Sequence, residues 1–172
     1  MIHESNKMNE LVISRSNLNF GKIYSKSYFP SELEEDMKKA NLLLIPFEEF
    51  STFEGPVFPE ETNKFYEFIK NYDNKELVGD ICISDDDYIE IEFQADLITL
   101  AHIIVDIAVF PITVTLIGNY LEGKIEGREN KSEVKAKVNL NVVAGDKSIN
   151  ISYEGDADKF EETINAANQP GN

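Results

Sequence analysis

A histidine and an aspartate four residues apart are the best candidates for acid–base chemistry in this sequence. His102 and Asp106 stand within residues 97–121 (LITLAHIIVDIAVFPITVTLIGNYL), which are otherwise apolar or neutral. On an α-helix this spacing brings an imidazole and a carboxylate into hydrogen-bonding reach on one face. Such a pair could act as general acid and base. No nucleophile or oxyanion donor accompanies it, so we interpret it as a structural pair, with catalysis as the alternative.

Other chemically active residues do not form a recognisable site. Asp85, Asp86 and Asp87 are adjacent, whereas a calcium loop places its oxygen ligands at alternate positions. We interpret these residues as a solvated turn. The single cysteine, Cys82, lies in an apolar alternation and is expected to be buried and inert. Phosphate-binding glycine loops and zinc-binding patterns are absent. The sequence therefore predicts no catalytic residue, no metal and no cofactor.

Composition limits the class of partner. The chain has 172 residues, 32 of them acidic and 16 basic, which gives a net charge of -16. An acidic surface repels the phosphates of nucleic acids, so no nucleic-acid partner is expected. No secretory signal is visible, and this predicts a cytoplasmic protein. We predict an N-terminal arm with at most one strand over 1–30, a single α/β domain over 31–168 and a tail over 169–172.

Local patterns predict alternating helices and strands in the first half. Ser31 and Glu34 form a capping-box pattern that predicts a helix over 31–39, and an apolar run predicts a strand over 41–46. The segment that follows, up to residue 58, is interpreted as a loop because it is rich in Gly and Pro. Its phenylalanines, including Phe50 and Phe53, either cover a sheet edge or form a groove for an apolar partner. An amphipathic helix is predicted over 60–72.

The second half predicts a fold dominated by strands around one long apolar segment. Strands over 77–84 and 88–93 are expected to reverse direction at the acidic turn. The alternation in EVKAKVNLNVV and in the segment after Gly145 predicts a C-terminal β-hairpin, followed by a short helix. The fold class is therefore mixed α/β, with a mixed sheet and flanking helices.

Residues 97–121 could be a membrane span or the interior of a folded domain. As a helix they would cover about 37 Å, enough for a bilayer. We predict a strongly apolar helix over about 96–122, kinked at Pro111. A helix ending near Val109, with a strand from Ile112, remains the alternative because twelve of the twenty-five residues are β-branched. On the helical projection a polar seam forms, and its members are Thr99, His102, Asp106, Thr113 and Tyr120.

The order of elements from about residue 77 to 168 resembles a family of small accessory domains. The matching segments are DLITLAHIIVDIAVFPITVTLIGNYLEGKI, EVKAKVNLNVVAGDKSINISYEG and DADKFEETI. This order is similar to that of the effector-associated constant components of predicted bacterial conflict systems. The resemblance lies in element order, and the acidic N-terminal half and Pro111 depart from it. It implies a non-catalytic adaptor that works beside an effector protein, and it carries over no functional residue.

Three functions follow from these observations. The first is a non-enzymatic adaptor that self-associates or docks a neighbouring effector through the helix over 97–121, with the seam residues, Phe50 and Phe53 at the interface. The second is a single-span, membrane-anchored protein with an acidic sensing or gating domain. The third is an enzyme that uses His102 and Asp106.

Overall fold

A mixed β-sheet organises the chain in a computed structural model that describes residues 9–50, 53–92, 97–128 and 134–167. The sheet has seven strands. Its order is β1 (Glu10–Ser16), β10 (Lys147–Asp156), β9 (Lys135–Ala144), β8 (His102–Asp106), β2 (Leu42–Ile45) and β5 (Gly79–Ile81), and β7 (Leu97–Thr99) also pairs with β9. The first eight residues, including His3, and the predicted tail over 169–172 lie outside the described residues.

Both parallel and antiparallel pairs occur in this sheet. β1 and β9 each pair antiparallel with β10, and β2 pairs antiparallel with β8. β8 runs parallel to β9, and β2 runs parallel to β5. The β9–β10 hairpin closes through Gly145 and Asp146, and Gly145 has a φ of 66°. A left-handed backbone of this kind is the usual requirement of a two-residue hairpin loop, and glycine adopts it without a steric cost.

A β-bulge separates β7 from β8 along the same side of β9. Thr99 is opposite Lys137, but Ile103 is opposite Leu140, so this strand has one residue more than β9 between the two pairs. An extra residue reverses the alternation of faces. Thr99 and His102 therefore lie on the same face of the sheet, although an odd spacing would normally separate them.

Helices cover both faces of the sheet. α3 (Thr62–Asn71), α4 (Phe110–Ile125) and α5 (Phe160–Ala167) pack on one face, which we call the helical face. The short helices α1 (Phe20–Tyr24) and α2 (Glu34–Lys39) lie towards the opposite face. A smaller sheet joins β3 (Phe47–Phe50), β4 (Phe53–Pro59) and β6 (Glu90–Ile91). The core is made mainly of aliphatic side chains from the large sheet and α4.

The predicted kinked helix over 96–122 is wrong in its first half. Residues 97–106 supply β7 and β8, and the helix begins only at Phe110, after one turn of 3-10 helix. Pro111 lies in the first turn of α4, where its missing N–H costs no hydrogen bond, so it marks the start of a helix instead of a kink. The alternative, a strand from Ile112, is wrong as well. Within the described ranges, no helix combines the length and apolar character that a membrane crossing requires.

Three further local predictions are corrected. Ser31 begins a 3-10 turn without a side-chain cap, and α2 starts at Glu34, so the capping box does not form. The segment after residue 46 forms the β3–β4 hairpin and is not a loop. The strands expected over 77–84 and 88–93 are short and do not pair with each other, because β5 joins β2 and β6 joins β4.

The coarse fold class is confirmed. The chain is mixed α/β with mixed sheets, and its C-terminal hairpin is β9–β10. The strand expected in the N-terminal arm is β1, which pairs along its whole length with β10. Ile23 and Tyr28, from the same arm, are buried in the core. The arm therefore contributes directly to the main sheet and its packing.

Candidate functional site

His102 belongs to a network of polar side chains on the face opposite the helical face. Its Nε2 lies 3.2 Å from Oδ1 of Asn141, and Nδ2 of Asn141 donates to the Ser16 hydroxyl at 2.7 Å. Asn150 donates to the same Oδ1 and to Asn139. Because the Asn141 oxygen only accepts, Nε2 of His102 carries a proton and donates it to this hydrogen bond. Burial lowers the pKa of His102, although the hydrogen bond that its ring donates to Asn141 opposes that change.

The predicted pairing of His102 with Asp106 does not form. Both residues lie on β8, where a spacing of four residues corresponds to about 13 Å instead of one helical turn. The Asp106 carboxylate instead accepts a hydrogen bond from the Ala108 backbone N–H at 2.9 Å and caps the 3-10 turn before α4. The acid–base dyad on which the enzyme hypothesis depended is therefore absent from this geometry.

The remaining residues of the predicted seam are divided by the sheet. Thr99 is buried in β7 on the face of His102, and its hydroxyl finds no hydrogen-bond partner in the described part of the chain. Thr113 and Tyr120 lie on α4, across the sheet from His102. The Thr113 hydroxyl is buried and donates to the backbone oxygen of Val109. The helical projection thus grouped residues that do not share a surface.

Tyr120 takes part in a clamp between α3 and α4. Its hydroxyl donates to the Glu61 carboxylate. The same carboxylate forms an ion pair with Lys124, with 2.8 Å between Nζ and Oε1. Burial opposes the charge on Glu61, but the hydrogen bonds from Lys124 and Tyr120 outweigh it and lower the pKa of that carboxyl. The Tyr120 ring packs edge-on against Phe65 at 5.0 Å between centroids. These contacts are internal, so they position helices and do not present a surface.

Phe50 and Phe53 are opposite each other in the β3–β4 hairpin. Phe50 is half-buried and packs against Phe47 at 6.2 Å between ring centroids, whereas Phe53 is 47% exposed. Their predicted role in an interface stays a prediction. The geometry fits partial cover within the small sheet for Phe50 and leaves Phe53 open to solvent.

An acidic cleft lies between α2 and α3 at the β5 edge of the sheet. It has a volume of about 340 Å³, and Asp80, Asp85 and Glu67 contribute carboxylates to its lining. Burial raises the pKa of Asp80, although the Ile81 backbone N–H donates to it. Burial raises the pKa of Tyr66 to about 12, and the neighbouring Asp80 carboxylate contributes to this increase. Cys82, two residues after Asp80, is buried, and burial raises the pKa of its thiol to about 12.

The opposite edge of the sheet presents apolar side chains. Ile13 on β1 is 50% exposed, and Ile149 on β10 is 40% exposed. They lie on the helical face and form one side of a groove of about 50 Å³ between β1, β10 and the ends of α4 and α5. The groove is lined by Leu11, Ile13, Phe110, Ile149, Ile151, Ile164 and Ala167. We call this surface, together with the outer edge of β1, the β1 edge.

Sequence reasoning missed the β1 edge. The only signal was the short apolar run LVIS within a polar N-terminal segment, and that run was assigned to an arm. Among the described residues, no strand pairs with the outer side of β1. A free strand edge carries unpaired backbone N–H and C=O groups that readily accept another strand.

Comparisons with known protein families, curated proteins and solved structures find no match for this chain. Within the described ranges, no three His, Cys, Asp or Glu side chains cluster in a way that could hold a metal ion.

Proposed function

We propose that this chain is a non-enzymatic accessory domain that self-associates through the β1 edge. The observation that carries this proposal is the position of Ile13. It is half-exposed on a strand whose outer side is free within the described residues, and it borders an apolar groove. Apolar side chains beside a free strand edge are typical of strand addition, in which main-chain hydrogen bonds extend a sheet into a partner.

We place the interface at β1 and not at the predicted helix over 97–121, because α4 has little exposed apolar surface. Most large apolar side chains of α4, such as Leu116, Ile117 and Leu121, are fully buried. A helix that is apolar around most of its circumference must be covered, and here the sheet, α3 and α5 cover it. Its hydrophobicity is therefore satisfied within one copy of the chain.

A second copy is the occupant that fits the β1 edge. In an antiparallel pair of β1 strands related by a two-fold axis at Ile13, the two Ile13 side chains face each other. Both copies then keep their helical faces on the same side, so the groove continues across the interface. β1 contains one acidic and one basic residue, Glu10 and Arg15. Two copies of a chain with a net charge of -16 thus approach along a locally neutral strand.

The proposal keeps the adaptor role implied by the resemblance to effector-associated accessory domains. A self-associating accessory domain would bring two copies of a neighbouring effector together. Docking of that effector at the β1 edge itself is the competing proposal, and the same experiment separates the two.

Gel filtration with light scattering tests self-association. We expect a concentration-dependent species of twice 19.5 kDa. Ile13→Lys is expected to convert it to a monomer, because a charge at the two-fold axis faces its own copy. Ile89→Lys is the matched control, since Ile89 is 49% exposed and lies outside the β1 edge.

Two results would contradict the proposal. One is a wild-type protein that stays monomeric across the concentration range. The other is an Ile13→Lys variant that associates as well as the wild type. Circular dichroism confirms that each variant is folded. A monomeric protein that binds a purified effector, and loses it on Ile13→Lys, would favour docking of a different partner.

A further inference from the structure

We propose that a basic cleft at the end of β1 binds a small phosphate-bearing anion. The cleft has a volume of about 500 Å³ and lies where β1, the start of α1 and the β9–β10 turn meet. Its lining includes three cations, Arg15, Lys22 and Lys147, and one carboxylate, Asp146. In a chain with twice as many acidic as basic residues, such a concentration of positive charge is unexpected.

The three cations are not used for internal ion pairs. Six lysines elsewhere in the described part of the chain pair with carboxylates, and these are Lys26, Lys38, Lys70, Lys124, Lys135 and Lys159. Arg15, Lys22 and Lys147 have no such partner among the described residues. Their positive charge is therefore available to an anion from solution.

Strand pairing places two of the cations on one side of the cleft. Arg15 is opposite Ile149 in the β1–β10 ladder, so Lys147 is its diagonal neighbour on the same face. Diagonal neighbours are roughly 7–8 Å apart. Because both side chains are long, Arg15 and Lys147 can reach oxygens of two adjacent phosphates in one ligand. Arg15 supplies a planar pair of N–H donors and Lys147 a point charge, and both are common phosphate ligands.

The floor of the cleft is held by hydrogen bonds. The Ser148 hydroxyl donates to the Ser16 backbone oxygen at 3.0 Å, and Asn141 donates to the Ser16 hydroxyl. The Asn19 side chain accepts from the Lys22 backbone N–H at 2.9 Å. These bonds fix the backbone on both sides of the cleft before any ligand binds, which reduces the entropic cost of binding.

Size and charge indicate the class of ligand. A cleft of about 500 Å³ is larger than one phosphate and is within the range of pockets for small organic ligands. Three cations against one carboxylate suit a group with two or more negative charges. A diphosphate or triphosphate, free or attached to a nucleoside-sized body, satisfies both conditions.

Isothermal titration calorimetry of the full chain with pyrophosphate, ATP and adenosine tests this site. Pyrophosphate and ATP are expected to bind, more weakly as salt rises, and adenosine is not. Lys22→Gln combined with Lys147→Gln should weaken pyrophosphate binding at least about tenfold, because two charge-assisted contacts are lost. Lys39→Gln combined with Lys75→Gln is the matched control, since both lysines are exposed and lie outside the cleft.

Two calorimetric results would overturn the proposed anion site. Absence of pyrophosphate binding at millimolar concentration overturns the proposal, and so does equal binding by the cleft variant. Binding of a hexaglutamate peptide that is lost in the cleft variant, while pyrophosphate does not bind the wild type, would assign the cleft to an acidic protein segment instead. Equal melting temperatures of the two double variants confirm that folding is not the cause. The cleft variant should self-associate like the wild type, which keeps this test separate from that of the β1 edge.

Discussion

The buried histidine of the polar network makes stability depend on pH. Burial holds the pKa of His102 below its usual value of 6.5 in the folded chain. When the pH falls below that value, an unfolded chain takes up a proton at this position and the folded chain resists it. The free energy of unfolding therefore decreases as the pH falls from 6.5 towards the folded pKa.

Replacing this histidine should remove its share of the acid sensitivity. His102→Gln keeps an N–H donor for Asn141 but cannot titrate, so its loss of stability between about pH 7.5 and 5.5 should be smaller than that of the wild type. Urea unfolding of both proteins at the two pH values measures the difference. Carboxylates titrate in both proteins, so the difference between the two stability losses is the part that comes from His102. An equal loss in both would show that His102 is not the source.

The pair formed by His102 and Asp106 shows why residue spacing alone misled the site prediction. The same spacing of four residues means contact on a helix and about 13 Å on a strand. The error in the secondary structure therefore became an error in the site. Asn141 was not predicted as a partner of His102, because it is 39 residues away and only the pairing of β8 with β9 brings it close.

At the scale of an element, α4 contains two glycines that have opposite surroundings. A side chain at Gly118 would place its Cβ 3.1 Å from Cβ of Glu161 on α5 and closer still to the Glu161 carboxylate. Gly123 has open space around it. Both glycines lower the helical propensity of α4, but only Gly118 permits close packing against α5.

These glycines should respond to the same substitution in opposite directions. Gly123→Ala is expected to raise the free energy of unfolding by about 0.5–1 kcal/mol, because alanine loses less backbone entropy on folding. Gly118→Ala is expected to lower it by roughly 1 kcal/mol, because α5 must shift. Thermal and urea unfolding of the two variants provide the measurement, and each is the control for the other. A stabilised Gly118→Ala variant would mean that the α4–α5 contact is easily adjusted.

The strands over 97–106 could not be distinguished from a helix by hydrophobicity alone. A strand buried on both faces and a buried helix are both continuous apolar runs. Pro111 was interpreted as a kink in the helix. The β-branched residues supported only the alternative, a helix ending near Val109 with a strand from Ile112. The β9–β10 hairpin was predicted correctly because its alternation has a wet face and a buried face, with a glycine turn between.

At the scale of the molecule, net charge opposes folding. A charge of -16 on 172 residues gives a compact chain more self-repulsion than an extended one. Raising sodium chloride from about 0.02 M to 0.3 M should therefore raise the melting temperature by a few degrees, since screening reduces the repulsion. Differential scanning calorimetry measures the change. A melting temperature that falls with salt would indicate that the ion pairs contribute more than the repulsion costs.

Pairing of β1 with β10 has a consequence for synthesis of the chain. Glu10 of β1 is opposite Glu154 of β10, which is 144 residues further along the chain. Contacts between such distant residues slow folding, because a long loop must close before they form. On the ribosome, β1 is synthesised well before β10, the strand with which it pairs. The main sheet therefore reaches its full width only after β10 has been synthesised, and until then β1 is an unpaired apolar segment within reach of chaperones.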